Sequence, residues 1–181
     1  METYIAILRG INVSGQKKIK MADLKAHLKE LNFKNVRTYI QSGNVIFEHK
    51  ETTPESLENE IEKKISEKYG FQVPTIIISP SELEYVLNNN PFLNDPNKAS
   101  DRLYVTFLSA IPSSINIGKL KNIDHSPEEY ILDGKNIYFF SPSSYGKAKM
   151  NNNFFENKLK TAATTRNWKT VNKLLEISNE R

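Results

Sequence analysis

The stretch "LRGINVSGQKK", residues 8 to 18, has the glycine spacing of a phosphate loop: Gly10, four residues, then Gly15. A nucleotide-hydrolysing loop needs lysine and then serine or threonine directly after the second glycine, so that the ammonium reaches the phosphates and the hydroxyl holds magnesium. Gln16 and Lys17 follow instead, and helical periodicity begins only near Met21. Hydrolysis chemistry of that kind is excluded. Two readings stay open: glycines that permit positive backbone torsions in a long connection, or a nest of backbone amides beside Lys17, Lys18 and Lys20 that accepts an anion.

A second candidate lies near the other end of the chain. Ser144, Tyr145 and Gly146 precede an expected helix start near Asn151 to Asn153, with Lys147 and Lys149 between. Small residues and lysines at a helix N-terminus suit an anion; an ordinary loop with exposed lysines has the same composition. Arg166 could present its guanidinium to a phosphate or carboxylate over Trp168, whereas Trp168 itself, at helical spacing from Leu174 and Leu175, reads as core. His27, His49 and His125 are not at metal-ligand spacing, so no metal is expected. Glu128 and Glu129, adjacent on a strand, point to opposite faces and cannot act as an acid/base pair there. Nothing marks a nucleophile and no cofactor is implied. With no cysteine, thiolate chemistry and disulfides are excluded.

Charge sharpens the second candidate. The net charge is +4, and residues 1 to 90 are balanced at 12 basic against 12 acidic side chains. Residues 91 to 181 carry 13 against 9, and the span 135 to 175 has eight basic residues and the single acid Glu156. Such a field favours an anionic small molecule or nucleic acid as partner, against the plainer reading of a solvated lysine surface. At 38% hydrophobic and 25% charged, with no apolar run near the ~18 residues of a membrane span, the chain reads as a soluble globular protein with no membrane partner. Its start lacks the basic-then-apolar pattern of a secretory signal, and a cytoplasmic location is expected.

The elements that must position these residues follow from periodicity. "TYIAILR" is a strand, Met21, Leu24, Leu28 and Leu31 recur at helical spacing, and "NVRTYI" is a strand again. "QSGN" turns into the strand "VIFE"; Thr53 caps a helix begun by Pro54, buried through Leu57, Ile61 and Ile65 and stopped by Gly70; "VPTIIIS" is the fourth strand. The order βαββαβ is that of ferredoxin-like domains. Ser79 and Glu82 form a capping box for a short helix, and Asn88 to Ser100 reads as a linker. The order then repeats through "RLYVTFLS", a weak helix at 113 to 121, "EEYIL", "NIYFF", a helix at 151 to 160 and "AATT", before a final helix from about Arg166. The predicted fold is α+β: two consecutive ferredoxin-like halves with antiparallel sheets, at 1 to 90 and 91 to 181, plus the linking helix and the C-terminal helix.

Strand order 4, 1, 3, 2 decides which loops share a sheet edge. It brings "RGIN" beside "QSGN", gathering Arg9, Asn12, Gln41, Ser42 and Asn44, and in the second half it brings Lys147, Lys149, Arg166 and Asn167 together. The first strand is apolar on both faces, through Tyr4, Ala6 and Leu8 and through Ile5 and Ile7, so its sheet should be covered on both sides rather than open for RNA stacking.

At "YIAILRGINVSGQKKIKMADL", "VRTYIQSGNVIFE", "NPF" and "TTRNWKTVNKL" the chain resembles, nearly end to end, the bacterial domain-of-unknown-function family numbered 1697. The resemblance implies a two-part α+β protein with ferredoxin-like halves and no established activity. Its motif positions fall on Arg9, Gly10, Asn12, Gly15, Gln41, Ser42, Gly43 and Asn44, and on Gly146, Lys149, Thr164, Arg166, Asn167, Trp168 and Thr170. Ser14 stands where the family commonly has glycine, and Ala148 where it often has serine. The leading expectation is an anion-binding protein using these loops. The alternatives are an enzyme of unknown reaction at the RGIN and QSGN cluster, or a protein-interaction module.

Overall fold

The computed structural model describes residues 1–180. The chain forms two compact units, Met1–Glu84 with the segment from Lys173 onward, and Tyr85–Asn172. The division at Asn172 and Lys173 falls within the final helix.

In the first unit β1 (Glu2–Leu8), α1 (Met21–Lys29), β2 (Lys34–Tyr39), β3 (Asn44–His49), α2 (Pro54–Tyr69) and β4 (Thr75–Ile78) follow in the expected order. The sheet runs β2-β3-β1-β4, all antiparallel. Local signals place the helix ends. Thr53 accepts from the Ser56 amide, and Gly70 closes α2 in the left-handed conformation. Tyr4, Ala6 and Leu8 join Val45, Phe47 and Ile77 in one core with Leu24, Leu28, Leu57, Ile61 and Ile65 of the helices. Ile5, Ile7 and Ile46 alternate onto the other face and are also fully buried, as the doubled apolar pattern requires. On the edge strand β4, α2 supplies acceptors to outward amides: Thr75 N donates to Glu62 at 2.8 Å and Ile77 N to Glu58 at 3.0 Å.

In the second unit β5 (Leu103–Leu108), α4 (Ser114–Gly118), β6 (Glu129–Asp133), β7 (Asn136–Phe140), α5 (Asn152–Leu159) and β8 (Ala163–Asn167) repeat that order, with the sheet β6-β7-β5-β8. Tyr104, Leu108, Ile137, Phe139 and Ala163 pack with Phe155 and Leu159 of α5. Thr106, on the same face, is buried and joins a hydroxyl network. Its Oγ1 is 2.7 Å from Thr165 Oγ1, which donates to Asn152 Oδ1 at 2.6 Å, while the Asn152 amide donates to the Tyr145 hydroxyl at 2.9 Å. Glu156 repeats the edge device, accepting from Ala163 N at 3.0 Å.

α3 (Pro80–Asn88) carries the capping box: Ser79 N donates to Glu82 at 2.7 Å and Glu82 N to Ser79 Oγ at 3.2 Å. Residues 88 to 100 are no free linker. Phe92 is buried, and Lys98 lies over the Phe92 and Phe140 rings with its ammonium 2.6 Å from Asp95 and 3.0 Å from Glu129. The last helix, α6 (Trp168–Asn179), starts two residues later than expected because Arg166 and Asn167 are still paired in β8. It buries Trp168, Val171 and Leu174, with Leu175 only half-buried.

α1 and α2 are clamped by one exposed carboxylate. The hydrogen bond from His27, then the ammonium groups of Lys64 and Lys68, lower the Glu30 pKa from the ordinary 4.5 to about 2. A depressed folded-state pKa contributes stability above the unfolded value that is lost as pH falls through the folded one. Glu30→Gln is expected to melt below the parent at pH 7, with the gap closing from about pH 4.5 to about pH 2. Melts across that window, repeated at high salt where the gap narrows, check it.

Candidate functional site

The opening loop is organised by its own polar groups. Asn12 Oδ1 accepts from Ile19 N at 2.8 Å, and its Nδ2 donates to the carbonyls of Ile19 and Gln41 at 2.9 Å each. Gln16 N donates to the Val13 carbonyl at 2.9 Å across Ser14 and Gly15, whose φ values of 51° and 74° make this a type I′ turn. Ser14 thus occupies the left-handed region that glycine enters without strain. Asn12 N donates to the Lys17 carbonyl, and Lys17 Nζ donates to the Gln72 carbonyl at 2.6 Å. Among the loop amides, those of Asn12, Gln16 and Ile19 are engaged inside the loop.

"QSGN" lies against "RGIN" as strand order requires. Leu8 N donates to the Gly43 carbonyl at 2.8 Å, and a β-carbon at Gly43 would stand 2.8 Å from both Leu8 Cβ and Ile11 Cδ1. Asn44 is fully buried and donates to the Tyr39 carbonyl and to Ser42 Oγ, each at 3.0 Å. Asn12, Gln41, Ser42 and Asn44 are therefore gathered, but the two asparagine amides hold turns together. Gln41 is exposed, and Arg9 is half-buried with its amide donating to the Pro74 carbonyl at 2.8 Å.

The junction borders a cleft of 640 Å³. Asn12 and Gln41 form one wall, exposed Lys18 and Lys20 the rim, and Met21 to Asp23 of the first turn of α1 another wall, with Tyr69 from the end of α2. Lys20 gives α1 no side-chain cap, so the first-turn amides at this wall lack a side-chain acceptor from that position. The Tyr69 hydroxyl is buried without a hydrogen-bond partner among the described residues, and burial, then the charge of Asp23, raise its pKa. Tyr69 was not legible as a site residue. It enters through the packing of α2 on α1, about 50 positions from the loop.

Lys147 and Lys149 are exposed, but Arg166 is 7% exposed on β8, facing the side of Val105. Its Nη1 donates to Thr164 Oγ1 at 3.0 Å and to the Thr165 carbonyl at 2.9 Å, and burial lowers its pKa to about 10. It does not stand at the head of α6 open to solvent. Asn167 serves as the N-cap there, accepting from Thr170 N at 2.8 Å. The expected anion position before α5 already holds a carboxylate: Glu128 accepts from the amides of Lys149 and Met150 at 2.8 and 2.9 Å. Asn151 caps α5 through Phe154 N. Ala148 is buried in the core, which accounts for a small side chain at that position. Among the described residues no group of three His, Asp or Glu side chains could hold a metal ion, and no helix is long and apolar enough to cross a membrane.

Residues 1–138 match the model of a family of proteins of unknown function, DUF1697. A solved structure of a conserved bacterial protein from Streptococcus pneumoniae is similar at a TM-score of 0.75 and 25% identity, covering 99% of each chain. No curated protein matches.

Two substitutions test the loop junction. Gly43→Ala is expected to lower stability by more than about 2 kcal/mol, since it adds a left-handed penalty to a contact at 2.8 Å with the backbone-anchored Leu8 Cβ. Asn12→Ala removes three hydrogen bonds and is expected to cost about 2–3 kcal/mol at roughly 1 kcal/mol each. Denaturant unfolding at constant m-value measures both.

Proposed function

The chain belongs to the DUF1697 family of proteins of unknown function, and from that premise we propose that it binds a small anionic ligand in the cleft beside α1. One observation carries the reading: the two N-terminal motif loops meet at an open 640 Å³ cleft rimmed by Lys18 and Lys20. Both ammonium groups are exposed, and Asp23 offsets only one of them. Met21, Ala22 and the Tyr69 ring supply apolar lining, so the favoured ligand joins an anionic group to an apolar body. Asn12 and Asn44 act by holding the loops; contact falls to Lys18, Lys20 and Gln41. Cytoplasmic location is part of the same reading, and recovery in the medium or membrane fraction after cell fractionation would remove it.

A thermal-shift screen over nucleotides, sugar phosphates, aromatic carboxylates and short RNA and DNA provides the test. A salt-sensitive small-molecule binder is expected, and Lys18→Ala with Lys20→Ala should weaken it about tenfold, the loss of roughly 1.4 kcal/mol. Because both lysines are exposed, the double variant should melt with the parent in the absence of ligand. Binding unchanged in that variant, or confined to nucleic acid, would overturn the proposal.

A further inference from the structure

A separate groove of 470 Å³ lies along the β2 edge of the first unit, lined by Lys25 and Lys29 of α1, Asn35 and Arg37 of β2, Glu48 of β3, and Glu180. Lys25 and Lys29 are four residues apart and share a helix face. Glu48 is held by Asn35, whose Nδ2 donates to it at 2.9 Å. Arg37 is less well matched. Its Nη1 donates to the Glu180 carbonyl at 3.3 Å and to the Glu180 carboxylate at 3.4 Å, both long for charge-assisted hydrogen bonds. Its Nε is buried with no acceptor among the described residues. A guanidinium with long contacts and an unmatched donor is suited to a better acceptor.

We propose that this groove binds a phosphate-bearing small molecule and that Glu180 is its built-in competitor, occupying the Arg37 end until phosphate displaces it. Charge selects the ligand. With Glu180 in place, three cations face two carboxylates; with it displaced they face Glu48 alone, an excess of two that a phosphate dianion neutralises. Geometry agrees, because a guanidinium engages phosphate through paired donors whereas the present contacts use one nitrogen. The Glu180 side chain is 55% exposed, so its release gives up only a weak, solvent-screened pair. The groove shares none of its lining residues with the α1 cleft, and this inference does not rest on that reading.

The test is a titration of the full chain with inorganic pyrophosphate at low salt, followed by amide NMR shifts. Shifts are expected at Lys25, Lys29, Arg37 and Glu180. Glu180→Gln should bind about two- to fivefold more tightly, the scale of an exposed ion pair. Lys25→Gln with Lys29→Gln, on the helix surface, and Arg37→Lys should each weaken binding. Equal or weaker binding by Glu180→Gln, shifts confined to the Lys18 and Lys20 cleft, or no binding by either the parent or Glu180→Gln would overturn the proposal. Thermal melts of each variant separate loss of binding from loss of fold.

Discussion

Burial on both faces of the central strands, through Ile5, Ile7 and Ile46 in the first sheet and Val105, Phe107 and Tyr138 in the second as well as through the helix-covered faces, sets the terms for everything else in this protein. Backbone amides and carbonyls at strand edges, turns and helix ends lose access to water and need partners within the chain. Side chains supply many of them. Glu58 and Glu62 serve β4, Glu156 serves β8, Glu128 serves the approach to α5, and Asn12 and Asn44 tie the first unit's loops. Many groups that look chemical in the sequence therefore perform backbone work.

That requirement separates anchoring residues from available ones. Asn12 and Gln41 share the junction, yet the Asn12 amide is fully engaged while the Gln41 side chain is exposed. Positive φ at the non-glycine residues Asn12, Ser14, Lys17 and Ile40 concentrates backbone strain at this junction. Such strain persists only where surrounding packing over-determines it, and it recurs at ligand-binding loops. In the second unit the basic span does not make an open arginine site, because its one arginine is buried and its helix entrance is occupied by Glu128.

Much of the fold was legible because its signals are local. Thr53, Gly70 and the Ser79–Glu82 box act on amides within a few residues, and alternation in "YIAIL" needs only the pleat. Strand order followed from the βαββαβ sequence of elements, and with it the meeting of "RGIN" and "QSGN". The packed segment around Lys98 was less legible, since polar composition resembles a linker until Phe92 and Phe140 are brought under the ammonium.

The amino-acid sequence by itself determined the element order, the sheet topology, the main helix caps and the pairing of the motif loops, because periodicity and capping are short-range. Only the tertiary structure decided what the motif side chains are free to do. It buried Arg166, gave Glu128 the amides expected to hold an anion, and brought Tyr69 and Glu180 to clefts lined by residues far away in the chain. Those outcomes depend on burial and on which long-range donor meets which acceptor, and neither is encoded in local spacing.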